Sequence, residues 1–336
     1  MISRNKKIQI IAEAGINHNG SLKRAIQLIK AAKKSNADFV KFQIFKAENI
    51  VTKNAVKSAY QKKSLKDGET QYQMLKKFEL PYECFKIIKK ECKKNKIKFL
   101  CSPFDVESLC YLKKLKEKII KIPSGEITNY PLIEKIGKMN VRVIMSTGMS
   151  NYKEIDRAIN LLVSNGTKKK NITLLHCNTA YPTPFIDVNL SVLKKLKKKF
   201  NVSVGYSDHT LGIEIPISAV CFGAEFIEKH ITLDKSLAGP DHKSSLNPSE
   251  FLSMVESIRN VEKALISSKK SIKPSERGNL KVVRKSIIAN SNILKGEIFT
   301  EKNLTTKRPG TGITPMLWRN VIGKKAKKNY IKDEII

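Results

Sequence analysis

The sequence predicts a closed parallel (β/α)8 barrel followed by a small C-terminal module. Short β-branched runs recur eight times between residues 8 and 233, and each is followed by a segment with helical spacing. Every run ends in polar residues able to do chemistry, which a barrel would deliver to one mouth. No G-x-G-x-x-G follows the first run, so a doubly wound open sheet is the weaker alternative.

The expected strands are 8–16, 39–45, 98–104, 119–125, 142–148, 172–178, 202–209 and 226–233. Their tips carry, in order, Glu13; Lys41 and Gln43; Ser102; Lys121, Ser124 and Glu126; Ser146 and Thr147; His176 and Asn178; Asp208 and His209; Glu228 and His230. The first helix is expected over 21–35, with Leu22, Ala25, Ile26, Leu28 and Ile29 at mixed three- and four-residue spacing. Gly20-Ser21 marks its start and Asn36 its end.

The longest gap, 46–97, holds Asp67-Gly68-Glu69 and then apolar Met74, Leu75 and Phe78; a segment of this length over a barrel mouth reads as a lid. The barrel domain is expected to span 1–265. Residues 266–283, with Ser267-Ser268-Lys269-Lys270 and Lys273-Pro274-Ser275-Glu276-Arg277-Gly278, read as a linker. Residues 284–336 form the module, with short runs at Ser286–Ala289 and Ile298–Phe299 and a turn at Arg308-Pro309-Gly310-Thr311-Gly312. It is small for a core of its own and is expected to dock on the barrel.

Composition excludes several classes. With 336 residues, 41% of them hydrophobic, the chain can build a large core, and no run approaches the ~20 apolar residues of a membrane span. The N-terminal apolar run holds Gln9 and stops at Glu13, too short and polar for a signal peptide, so a cytoplasmic protein is expected. The six cysteines match no zinc spacing and read as small buried hydrophobes. A net charge of +34 invites a nucleic-acid partner. However, the excess is nearly all lysine, spread over every helix as at Lys86–Lys96 and Lys194–Lys199, and aromatic residues avoid it. A solvated lysine surface that attracts anionic substrates is the better account, with neither nucleic acid nor membrane as partner.

At the strand tips, His209 and His230 would occupy adjacent barrel positions and could hold a divalent metal, manganese or magnesium, with open positions for substrate. The neighbouring Asp208 and Glu228 strengthen that expectation. Lys41 and Lys121, inside β-branched strands, must face the lumen or be buried unpaired; with Ser102, Ser124 and Ser146 they suggest an anion cradle. Glu13 and Glu126 could be structural ion-pair members, or could grip hydroxyls or move protons.

Longer motifs make the assignment specific. Ala12-Glu13-Ala14-Gly15-Ile16-Asn17-His18-Asn19-Gly20, Val40-Lys41-Phe42-Gln43, Ser102-Pro103-Phe104 and Lys121-Ile122-Pro123-Ser124-Gly125-Glu126 resemble segments of sialic acid synthases. So do Ser146-Thr147-Gly148-Met149, His176 to Pro184, Gly205-Tyr206-Ser207-Asp208-His209-Thr210 and Gly239-Pro240-Asp241-His242. The Lys307–Gly312 segment resembles the antifreeze-like (SAF) domain of the same enzymes, so the likeness covers nearly the whole chain in order.

The resemblance implies a TIM barrel with a SAF domain that condenses phosphoenolpyruvate with an open-chain N-acetylated sugar, releasing phosphate and forming a nonulosonic acid. It places phosphoenolpyruvate on Lys41, Ser102, Lys121, Ser124, Ser146 and Ser207, and the metal on His209 and His230. Glu13, Gln43, Tyr181 and Asp241 would position the sugar, and Glu126 would stand near the reacting carbons. Arg308, from a partner subunit of a domain-swapped homodimer, would reach the N-acetyl group. Ser102 stands where many relatives have Thr, and Thr179 where some have Asn; His18 and His176 read as structural.

N-acetylneuraminate synthase, acting on N-acetylmannosamine, is the leading expectation, and a synthase acting on a diacetamido-trideoxymannose to give N,N'-diacetyllegionaminate is the alternative. The Gly239–His242 segment looks less like the pseudaminic branch. A lysine-rich nucleic-acid-binding protein, or an inactive barrel carrying a binding adaptor, are the readings from other classes.

Overall fold

Eight parallel strands run in the order β3-β2-β1-β8-β7-β6-β5-β4. They are β1 (Gln9–Gly15), β2 (Phe39–Ile44), β3 (Lys98–Pro103), β4 (Ile119–Ile122), β5 (Arg142–Ser146), β6 (Ile172–His176), β7 (Ser203–Asp208) and β8 (Phe226–His230). β3 and β4 lie in contact across the remaining seam, so the sheet curls into the expected (β/α)8 barrel. This computed structural model describes residues 7–58, 69–267 and 269–336. The expected Asp67-Gly68 turn and Ser268 lie outside them. The described chain divides into one unit ending at Ser267 and a second beyond it.

Around the barrel run α1 (Leu22–Lys34), α4 (Tyr82–Lys94), α5 (Val106–Lys114), α6 (Tyr130–Lys138), α7 (Tyr152–Ser164), α8 (Val192–Phe200), α9 (Glu214–Cys221) and α10 (Pro248–Ala264). Helix α1 begins where Ser21 accepts a hydrogen bond from the Arg24 backbone N–H; it buries Ala25, Leu28, Ile29 and Ala32 and ends before Asn36, whose φ is 58°. The lysines of α4 and α8 lie mostly on the outer, exposed faces, as a solvated surface requires.

Strand alternation divides the barrel into two cores. One face of each strand, including Ile10, Val40, Ile120, Val143, Leu174, Val204 and Ile227, packs against the helices. The other face fills the lumen with a plug of Ile11, Phe39, Leu100, Ile144, Leu175 and Phe226, with Ile119 beside it. Gly205 completes that layer without a side chain: a Cβ there would meet the Phe226 carbonyl oxygen at 2.5 Å and Leu175 Cδ2 at 2.7 Å. Two residues further along the strands, the same face carries Glu13, Lys41, Ser102, Lys121, Ser146, Cys177, Ser207 and Glu228, and two further again Gln43, His209 and His230.

The expected lid is an organised segment. It contains α2 (Ala47–Ile50) and α3 (Gln71–Phe78) before α4 begins. Met74 and Phe78 pack with Ile16 and Phe45, and Ile50, Leu75 and Phe104 border that cluster. Thr70 and Gln73 cap α3 reciprocally.

Two expectations for the C-terminal region are corrected. Residues 266–283 are not all linker: Arg277–Val283 is a helix, α11, introduced by a turn at Pro274–Glu276 where Glu276 accepts from the Lys273 N–H. The turn at 308–310 holds α11 in place, because Gly310 N–H donates to the Lys281 carbonyl at 2.8 Å and Arg308 Nε to that of Val283 at 3.0 Å. The module also has its own core of Ile287, Ala289, Ile293, Phe299, Leu304, Val321 and Ala326. Of the two short runs in the module, Ser286–Ala289 is β9, which pairs antiparallel with β10 (Leu304–Lys307), and Ile298 makes an isolated bridge to Lys325. A short helix, α12 (Trp318–Val321), completes this unit. Among the described residues, no helix is long and apolar enough to cross a membrane, and all six cysteines are free thiols.

Candidate active site

A cavity of about 430 Å³ opens at the C-terminal ends of the strands. It is lined by Glu13, Lys41, Gln43, Ser102, Lys121, Ser124, Glu126, Ser146, Tyr181, Ser207, His209, His230 and Asp241, so every barrel residue to which the family resemblance gave a site role meets there. Arg308 belongs to the second unit, where it is exposed and binds the Val283 carbonyl.

The floor of the cavity is a buried charge cluster. Lys41 Nζ stands 3.0 Å from Glu13 Oε2 and 3.0 Å from Glu228 Oε1, while Lys121 Nζ lies 3.8 Å from the same Glu228 oxygen. Burial alone would discharge Lys41, but the two carboxylates outweigh it and raise its pKa. Lys121 is buried with Lys41 nearby and only Glu228 strongly opposing, so its pKa falls to about 8. Glu228 resists burial because Lys121 and Lys41 hold it down at about 2. Glu13 is raised, chiefly by desolvation.

Hydroxyls surround these cations. Lys121 donates to Ser146 Oγ, and Ser207 Oγ donates to Glu228 at 2.9 Å. Ser124 Oγ accepts from the Gly148 N–H at 3.0 Å and touches Cys177 Sγ at 3.2 Å. Ser102 Oγ is buried with no hydrogen-bond partner among the described residues. Two ammonium groups, four serines and a backbone N–H nearby suit an anion that would replace the internal carboxylates as partner.

Above this floor the His209 and His230 rings lie 5.6 Å apart between centroids, tilted by 59° to one another. His209 Nδ1 is engaged by the Asn178 carbonyl, which fixes the ring and leaves Nε2 available. Among the described residues, His230 Nδ1 is buried without a hydrogen-bond partner, with Asp241 Oδ2 at 3.8 Å. Burial keeps both imidazoles neutral, with His209 down to about 4. Neutral, oriented rings with an orphaned nitrogen fit a divalent cation. Among the described residues no third His, Cys, Asp or Glu joins them in a complete protein ligand set, so the other positions would fall to substrate and water. Tyr181 lies over His209 with ring centroids 4.0 Å apart.

Gln43 Nε2 donates to Glu13 Oε1 at 3.1 Å, and Asn129 Nδ2 donates to Glu126 Oε2 at 2.6 Å. Burial raises the pKa of Glu126, and raises Asp241 to about 7 with help from the Glu13 charge. Ile16, Ile50, Val51, Leu75, Phe104 and Met149 give the upper wall an apolar character.

Asp208 departs from expectation. It follows a lumen-facing residue, so alternation turns it behind the sheet, where it pairs with Lys229 and is no part of the cavity. Glu228 is the reverse: a strand tip given no role of its own beyond supporting the metal expectation, it proves central to the floor. Its position two residues before His230 was the available signal. His18 and His176 are no part of this cavity: His18 Nδ1 accepts from the Gly20 N–H, with its Nε2 buried and unpartnered among the described residues, and His176 Nε2 meets the Val188 carbonyl. His242, in the loop after β8, hydrogen-bonds with Thr232 of that loop and with Asn19 of the loop after β1.

Comparison with known proteins agrees with this geometry. The profile of the NeuB family matches residues 28–270 and that of the SAF domain residues 284–336. The chain is 52% identical over 331 residues to the N,N'-diacetyllegionaminic acid synthase of Campylobacter jejuni, spanning 98% of this chain and 99% of that protein. The Legionella pneumophila protein of the same name is 42% identical, over 95% of this chain and 90% of its own length. Among solved structures, the N-acetylneuraminic acid synthetase of Leptospira borgpetersenii superposes with a TM-score of 0.72 at 34% identity, covering 82% of this chain and 91% of that one.

Proposed function

From a chain that belongs to the NeuB family, and so to the carbon–carbon bond-forming synthases of nonulosonic acid biosynthesis, we propose an N,N'-diacetyllegionaminate synthase. It would condense phosphoenolpyruvate with a diacetamido-trideoxymannose and water, releasing phosphate. The observation that carries the chemistry is the layering of one cavity: two lysines and a set of serines on the floor, two neutral imidazoles one step above. The choice of sugar rests on the 52% identity and on the apolar upper wall, which suits the methyl of a deoxy sugar and a second acetamido group. N-acetylneuraminate synthase, the leading expectation from sequence, becomes the alternative; its named relative stands at 34%.

In this reading Lys41, Lys121, Ser102, Ser124, Ser146 and Ser207 bind the phosphate and carboxylate of phosphoenolpyruvate and fix its methylene carbon towards the aldehyde. A manganese or magnesium ion held by His209 and His230 would supply Lewis-acid polarisation of that aldehyde. Glu13, Gln43, Tyr181 and Asp241 orient the sugar. As the methylene carbon bonds to the aldehyde carbon, the carbonyl π pair moves onto the aldehyde oxygen, which takes up a proton to become a hydroxyl, while the former enol carbon becomes electron-deficient and takes up water. Glu126, its pKa raised by burial, is suited to accept the proton of that water. Collapse of the adduct breaks the bond to the phosphate oxygen, and the fixed ammonium groups stabilise the charge that leaves. Arg308 of a partner chain in a domain-swapped homodimer reaching the acetamido group is supported by the sequence resemblance.

The test is phosphate release from phosphoenolpyruvate with each sugar. Turnover with the diacetamido sugar and little with N-acetylmannosamine is expected; the opposite preference would return the reading to neuraminate synthesis.

A further inference from the structure

Behind the two imidazoles, on the helix-facing side of the barrel wall, sits an ion pair with almost no solvent contact. Asp208 and Lys229 are directly opposite each other in the β7–β8 register, at 1% and 0% exposure. Lys229 Nζ donates to Asp208 Oδ2 and also to the backbone carbonyl of Thr210. Asp208 Oδ1 in turn accepts from the Thr210 N–H at 3.1 Å and its hydroxyl at 3.0 Å. The residues on either side of His209 are therefore tied to one ammonium, and that ammonium belongs to the residue before His230.

The location matters because β7 ends at Asp208. His209 lies one residue past the regular strand, where the chain would otherwise be free to begin a loop. An apolar pair of similar volume would join the strands with comparable stability, since burying two charges costs about what their attraction returns. No apolar side chain could grip a neighbouring strand and a backbone carbonyl together. We propose that Asp208, Thr210 and Lys229 form a clasp that positions His209 against His230, making them positioning residues for the cation site; this rests on reading the imidazole pair as metal ligands.

The full chain and its Asp208→Asn, Lys229→Met and His230→Ala variants would be titrated with Mn2+, free ion being read by electron paramagnetic resonance. Inorganic phosphate binding to the same proteins would be measured by calorimetry. Lys229→Met is expected to weaken Mn2+ about 10–100-fold, the range for residues that orient metal ligands, with Asp208→Asn weaker in effect and phosphate affinity unchanged. Asp208→Asn keeps the shape and an acceptor for Thr210, so it decides the matter if Lys229→Met does not fold. Unchanged Mn2+ affinity in a folded variant overturns the clasp, as does parallel loss of Mn2+ and phosphate, which signals general loosening. If the wild-type chain and His230→Ala bind Mn2+ alike, the metal reading itself falls and the clasp with it.

Discussion

Lys41 and Glu228, from strands that do not adjoin, meet 3.0 Å apart beneath the cavity, both almost fully buried. With Glu13 and Lys121 they make a floor of two cations and two carboxylates. Removing the shared cation should be severe. Lys41→Met is expected to cost about 3–5 kcal/mol of stability, as breaking a buried pair does, because Glu13 loses its cation and Glu228 is left with Lys121 at 3.8 Å. Denaturant unfolding measures this; a variant as stable as wild type would mean that those carboxylates take up protons at no cost.

Lys121 sets a pH limit. Its ammonium, with a pKa of about 8, is charged below that pH and loses its proton above it. In the free enzyme the affinity for phosphoenolpyruvate should therefore fall as pH rises through about 8. Lys121→Arg, which stays charged throughout, should flatten that step. Calorimetric titration across the range checks both, and an equal slope in wild type and variant would remove Lys121 from the explanation.

The imidazole pair predicts dependence on a divalent ion. Chelation should abolish turnover and added Mn2+ restore it, while His230→Ala should stay inactive at any ion concentration. Full activity after exhaustive chelation would refute this role for His209 and His230.

Arg308 should act on sugar alone. Arg308→Ala in the full chain is expected to raise the sugar KM about 10–100-fold, the worth of one charge-assisted hydrogen bond, with phosphoenolpyruvate KM unchanged. Equal changes in both constants would argue for a structural part in the Val283 contact instead.

Gly205 tests the packing below the site. A Cβ there would stand 2.5 Å from a backbone oxygen that cannot swing aside, so Gly205→Ala should destabilise by about 1–3 kcal/mol. Equilibrium unfolding gives the number; a neutral effect would show that β7 and β8 can part.

Much of this was readable beforehand because a parallel barrel converts sequence order into position. Each β-branched run announces a strand, and its last polar residues announce the mouth. What the tips do not reveal is facing. Asp208 and His209 are equally polar neighbours, and only alternation sends one into the cavity and the other into the wall. Glu228 lacked a role of its own because a buried carboxylate gains meaning from cations that arrive from distant strands. Leu304–Lys307 was not recognisable as a strand because only Leu304 is buried in this half-exposed ribbon. The helix at Arg277–Val283 was hidden because none of its residues is buried, leaving no apolar stripe to mark it.

The apolar plug formed by Ile11, Phe39, Leu100, Ile144, Leu175 and Phe226 closes the barrel beneath the charged floor. A vessel sealed at its base fills from the bottom. Under the proposed function, a reactant seated on the lysines would have to enter before a sugar at the level of the imidazoles barred its path, and phosphate would leave only after the upper tenant had gone. An obligatory order of loading and discharge would then follow from the hydrocarbon stopper, whose residues are no part of the cavity lining.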